Sequence, residues 1–153
     1  MHDYKNIFQY KSVGKIYSSS LDYENDEDMG SYYTAIYTLH TKSKTYYLAV
    51  YGGSESTKDY YEGIRIYSIE NDSLNDSLAL IKTPKGLVNS INFEYDAFSV
   101  LQRPERPIIL IKYDTNKKII YIPVVLENGK VTNNFLNYQF DGKYFVYIPQ
   151  RNK

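Results

Sequence analysis

The sequence predicts an all-β single domain of about eight to ten antiparallel strands, folded as a sandwich or a flattened barrel. Three observations carry this. Apolar and polar residues alternate with period two in one segment after another. Turn residues punctuate the chain at roughly 8–12-residue intervals. No segment carries a sustained 3.6-residue apolar stripe, so a helical reading has nothing to rest on.

The chain has 153 residues, which suits one domain. A chain of this length buries roughly 70% of its unfolded surface and needs no covalent staple. The elements follow in order. Residues 1–30 hold a short strand-like stretch and an acidic loop, "LDYENDEDMG". Residues 31–86 form a first meander: "YYTAIYTLH", "KTYYLAVY", "GIRIYSIE" and "SLALIKT", separated by "TKS", "GGSESTKDYYE" and "NDSLND". In its first strand Tyr33, Ala35, Tyr37 and Leu39 alternate with Thr34, Thr38 and His40. Residues 87–153 form a second meander. There Ile91, Phe93 and Tyr95 alternate with Asn92, Glu94 and Asp96. "PIILIKY" turns through "DTNK" into "KIIYIPVVLE", whose Ile120, Ile122, Val124 and Leu126 are expected to face inward. Pro123 lacks a backbone donor, which places it on an edge or at a bulge. Asn128-Gly129 and Asp141-Gly142 read as hairpin turns, the second joining "NFLNYQF" to "KYFVYI".

The two meanders share a faint repeat. "TKSKTYYLAV" (41–50) aligns with "TNKKIIYIPV" (115–124). A duplication gives this pattern, and so does the recurrence of turn and strand formers in any meander.

Composition excludes several chemistries. There is no Cys, hence no disulfide framework, thiolate metal site or Cys nucleophile. Eighteen basic and 18 acidic residues cancel, so net charge gives no reason to expect nucleic acid or an anionic membrane as partner. No apolar run approaches the roughly 20 residues of a membrane span. The N-terminus lacks the charged and apolar regions of a signal peptide; a chain that starts after a removed signal reads the same way. Tyr is the outlier, at 19 residues, with no Trp. It serves either a sheet that needs strand formers or an aromatic binding surface.

Candidate sites are few. The acidic cluster Asp22, Glu24, Asp26, Glu27 and Asp28 lacks EF-hand spacing and reads as a solvated loop, so no metal or cofactor is expected. His2 and His40 stand without a nucleophile elbow. Glu94 and Asp96 share one strand face, as paired carboxylates of a hydrolase would, but exposed strands often carry such pairs. "QRPERP" (102–107) reads as a rigid connector. "YGGSESTKDYYEG" is not a phosphate loop, and its length points to ligand contact or to a mere insertion. The favoured contact residues are Tyr60 and Tyr61 from that loop, with Arg65 and Tyr67 on the strand after it. Arg65 and Tyr67 point to one side, and Tyr and Arg are enriched at binding hot spots.

From "NSINFEYD" through "IKYDTNKKIIYIPVVLENGKVTNNFLNYQFDGKYFVY", the chain resembles small, uncharacterised all-β exported proteins of Bacteroidetes type. The resemblance covers roughly residues 33–147 and carries no catalytic motif. It implies a position outside the cytoplasm, in the periplasm or at the cell surface, with a lipid anchor where a signal segment has been removed. The functional expectation is a non-enzymatic extracytoplasmic binding module. Its partner would be a protein, as for an immunity or enzyme-inhibitor protein, or a carbohydrate stacked on tyrosine. A carboxylate hydrolase ranks last.

Overall fold

The structure, a computed structural model, describes residues 32–150. Every element there is a strand apart from one 3-10 turn, Ala97–Val100, and the strands form two sheets facing each other as a sandwich. The acidic loop and His2 lie outside the described residues.

The first sheet holds β1 (Tyr32–His40), β2 (Thr45–Ser54) and β3 (Asp59–Glu70) in that order. The far edge of β3 is shared. β7 (Ser90–Asp96) pairs with its first half, and β4 (Ser73–Asn75) with its last three residues. The second sheet runs β6 (Gly86–Val88), β5 (Ile81–Thr83), β11 (Phe145–Ile148), β10 (Val131–Phe140), β9 (Ile119–Val125) and β8 (Lys112–Asp114). All pairings are antiparallel except β11 with β5. Among the described residues alone there are eleven strands, where about eight to ten are expected of the chain, because short ladders form inside segments of loop composition.

The alternation predicts most of the inner faces; Leu126, expected inward, lies just past the end of β9 and is exposed. Leu48 and Val50 of β2, Ile64 and Ile66 of β3, and Ile120 and Ile122 of β9 are almost fully buried in one cluster. Phe145 and Tyr138 join it from the second sheet, and Tyr113 packs edge-on to Phe145. A second cluster, Tyr95, Val100, Leu110 and Val131, fills the end of the sandwich near the 3-10 turn.

Local chemistry explains the departures. The expected long loop "GGSESTKDYYEG" is a four-residue connection, Glu55–Lys58, since β2 and β3 pair as far as Ser54 with Tyr60. The two-residue hairpin turn with both residues at positive φ is Asn71-Asp72, with φ of 50° and 63°, between β3 and β4. At Asn128-Gly129 and Asp141-Gly142 only the glycines are left-handed. There the Asn128 and Asp141 side chains accept backbone N–H bonds two residues on, which closes wider turns. Pro123 sits on a central strand beyond the end of β8, where β9 needs no donor on that side, and close to the register shift between Val131 and Phe135. A second shift, between Tyr33 and Ala35, turns Tyr33 out of the inward set in which alternation places it.

Candidate functional site

The outer face of the first sheet carries the site. In an antiparallel sandwich that face is ordinarily polar and solvated. Here it is rich in aromatic side chains. Tyr47, Ala49 and Tyr51 of β2 stand opposite Tyr67, Arg65 and Gly63 of β3, and Gly53 stands opposite Tyr61.

The glycines matter because each lies beneath a ring. A Cβ on Gly63 would collide with the Tyr51 ring, 2.9 Å from Cε1 and closer still to Cζ and the hydroxyl. A Cβ on Gly53 would collide in the same way with Tyr61, 2.8 Å from Cε1. Both rings therefore lie flat on the sheet, each covering the glycine paired with it, a device that restores packing where a strand lacks a side chain. The Arg65 guanidinium lies 5.9 Å from the Tyr51 ring centroid and 3.7 Å from Asp76 Oδ2.

Next to this platform lies a depression of about 340 Å³, lined by Tyr33, Ile36, Tyr47, Ala49, Tyr67, Ile69 and Leu74. The bulge in β1 supplies Tyr33, whose hydroxyl is 2.9 Å from that of Tyr67. Burial, then the hydrogen bond with Tyr33, pushes the Tyr67 hydroxyl well above the usual phenol range. It stays protonated and serves as a hydrogen-bonding group.

Of the four residues expected to make contact, the structure brings three together. Tyr61, Arg65 and Tyr67 share the outer face of β3. Tyr60 faces the other way, packing on Tyr95 in the second core cluster at a centroid distance of 6.1 Å. Both tyrosines sit on β3, where consecutive side chains take opposite faces. Tyr67 is 5% exposed, so it forms the floor of the depression. Sequence reasoning missed Tyr33, Ile36, Tyr47 and Leu74. The parity of β2 and β4 against β3 makes Tyr47 and Leu74 recoverable, whereas the bulge hides Tyr33.

The remaining candidates have structural roles. His40 ends β1 with Nδ1 3.1 Å from Thr45 Oγ1. Glu94 and Asp96 do face outward together, opposite Tyr61 and Asp59. Asp96, however, caps the 3-10 turn by accepting from the Phe98 N–H, and lies 3.8 Å from Lys58 Nζ. In "QRPERP" the Arg106 guanidinium donates to the carbonyls of Arg103 and Glu105.

A carboxylate not singled out from the sequence is the most buried charged group among the described residues. Glu62 is 3% exposed and points inward from β3. Its two oxygens accept from the Leu110 N–H at 2.9 and 3.0 Å, and Oε1 accepts from the Ile111 N–H at 2.7 Å. Burial pushes its carboxyl up to about 7, against the opposing pull of the Ile111 and Leu110 amides.

Among the described residues, no group of three or more His, Cys, Asp or Glu side chains is placed to hold a metal ion. No helix there is long and apolar enough to cross a membrane. No protein-family model, curated protein or solved structure matches this chain.

Proposed function

We propose that the protein is a non-enzymatic binding module whose contact face is the outer surface of the first sheet, with carbohydrate as its ligand class. The depression lined by Tyr33, Ile36, Tyr47, Tyr67 and Leu74 carries this reading. An apolar concavity edged by a few polar groups is the common form of a small-ligand site. A sugar ring presents apolar C–H faces together with hydroxyls, and this surface offers both complements. Aromatic and aliphatic walls meet the C–H face. The paired hydroxyls of Tyr33 and Tyr67 and the Arg65–Asp76 pair supply donors and acceptors beside it. The four-residue Glu55–Lys58 connection is polar, which suits a plug for an enzyme cleft poorly and ranks the inhibitor reading second. The resemblance to exported proteins supports a position outside the cytoplasm.

The test is a glycan-array screen of the full chain, followed by titration of the best ligand against isotope-labelled protein. The expected result is amide shift changes confined to β1, β2, β3 and β4. Tyr33→Ala should weaken binding about tenfold, a loss of about 1.4 kcal/mol, at an unchanged melting temperature. Tyr33 is half exposed, so its removal leaves the core intact. A ligand that shifts only the second sheet, or the absence of any glycan binding, overturns the reading.

A further inference from the structure

On the outer face of the β2–β3 ladder, three positions carry glycine or alanine: Ala49, Gly53 and Gly63. At the two glycines a ring fills the space, Tyr61 over Gly53 and Tyr51 over Gly63. Ala49 is left open, and the depression begins above it. Its partners in register are Ile36 on one side and Arg65 on the other. The Arg65 guanidinium is engaged by Asp76 and by the Tyr51 ring. Ala49 and Tyr67 are both buried and make the floor, while Tyr33, Ile36 and Ile69 stand exposed around it. Folding does not call for this hollow. Alanine is a weak strand former, whereas Tyr47 and Tyr51, its neighbours on the same face of β2, are strong ones. A larger side chain at position 49 would gain a cross-strand pair with Ile36.

We infer that Ala49 is the specificity-determining residue of the depression: its methyl group limits the ligand to a single pyranose-sized ring lying on the floor, with further units of a glycan running out to solvent. The inference rests on the reading of this face as the contact surface, and it names the part of the ligand that enters. Side chains stand roughly perpendicular to a sheet, so each carbon added at position 49 rises into the depression. A volume of about 340 Å³ lies near the lower end of the roughly 300–1,000 Å³ of small-molecule sites, which suits one ring and not an extended chain. A ring seated there sets its C–H face on the Ala49 methyl. Its hydroxyls then meet the Tyr33 and Tyr67 hydroxyl pair.

The test is a titration of the isotope-labelled full chain with single-ring probes: methyl β-D-glucopyranoside, methyl β-D-galactopyranoside, methyl α-D-mannopyranoside and cyclohexanol, a ring with one hydroxyl. The Ala49 amide should shift with at least one of them. For that probe, Ala49→Val should raise the dissociation constant about tenfold, and Ala49→Leu should abolish the shifts. Ala49→Ser, which keeps the size, should stay within about twofold. The circular dichroism spectrum and the melting temperature of Ala49→Val should not fall below those of the unmodified chain, so a loss of binding follows side-chain size and not damage to the fold. Valine is a strand former, so this variant decides the matter even if Ala49→Leu folds poorly. Binding by Ala49→Val and Ala49→Leu as tight as that of the unmodified chain overturns the inference, as does the absence of an Ala49 shift with all four probes. Shifts with cyclohexanol alone would end the carbohydrate reading, while their loss in Ala49→Val would still uphold the size limit.

Discussion

Glu62 shows how a single side chain organises a region that lacks regular pairing. The stretch before β8 is apolar and reads as a strand, yet Leu110 and Ile111 have no ladder of their own. Their buried N–H groups go to the Glu62 carboxylate instead. An unsatisfied buried amide costs about 1–3 kcal/mol, so the carboxylate stands in for a missing strand. Because the folded-state value, about 7, lies above the ordinary 4.5, the folded chain holds this proton more tightly than the unfolded chain. The stability it contributes is therefore fully present below pH 4.5 and is lost as pH rises through about 7. Denaturant melts across this range should show the chain losing up to about 3 kcal/mol from this group toward pH 8. Glu62→Gln keeps an acceptor for the amides and cannot titrate, so its melts should be nearly flat over the same window. A Glu62→Gln profile as steep as that of the unmodified chain would assign the pH dependence to another group.

At the scale of elements, the β2–β3 hairpin is the longest ladder among the described residues. Its nine paired positions run from Tyr46 with Ser68 to Ser54 with Tyr60. Two of its three glycines, Gly53 and Gly63, are weak strand formers in isolation and sit in it beneath the rings of Tyr61 and Tyr51. Gly63→Ala should force the Tyr51 ring off the sheet and its cation–π contact with Arg65, at a cost of about 1 kcal/mol. Adding Tyr51→Ala should make the alanine at 63 nearly neutral. A double-mutant cycle measured by thermal melting should therefore give a coupling of about 0.5–1 kcal/mol or more, and purely additive effects would show that the ring does not rest on the glycine. This arrangement was out of reach from sequence. "YGGSESTKDYYEG" has loop composition, and only the pairing of Gly53 with Tyr61 and Gly63 with Tyr51 turns it into strand. Tyr33 was lost for a related reason. Parity counting assumes an unbroken strand, and the register shift after Tyr33 reverses its face.

At the scale of the molecule, the chain crosses between sheets three times among the described residues. β5 and β6 leave the first sheet, β7 returns to β3, and β8 begins the run that completes the second. Residues 87–153 thus supply strands to both sheets, and so do residues 31–86. The core is correspondingly shared. Phe145 is fully buried between Tyr113 and Phe140, in the same cluster as Leu48 and Ile66 of the opposite sheet. Phe145→Ala should cost about 3–5 kcal/mol and lower both sheets together. Hydrogen exchange should then report one cooperative loss of protection across β2, β3, β9 and β10. Protection that persists in the first sheet alone would indicate two separable units.

Period-two alternation determined the fold class, the location of most strands and the residues that fill the core, because burial on one face of a strand is written locally in every second side chain. It also determined that Arg65 and Tyr67 share a face, since parity within one unbroken strand is a local property. The tertiary structure alone decided which strands are neighbours, where β3 divides its far edge between β7 and β4, and that Tyr60 belongs to the core while Tyr33 belongs to the surface depression. It alone placed Glu62 against the amides of residues 48 and 49 positions further along the chain. These outcomes turn on register and on contacts between distant segments. A sequence records which residues a strand prefers to bury, and long-range pairing settles what each of those residues meets.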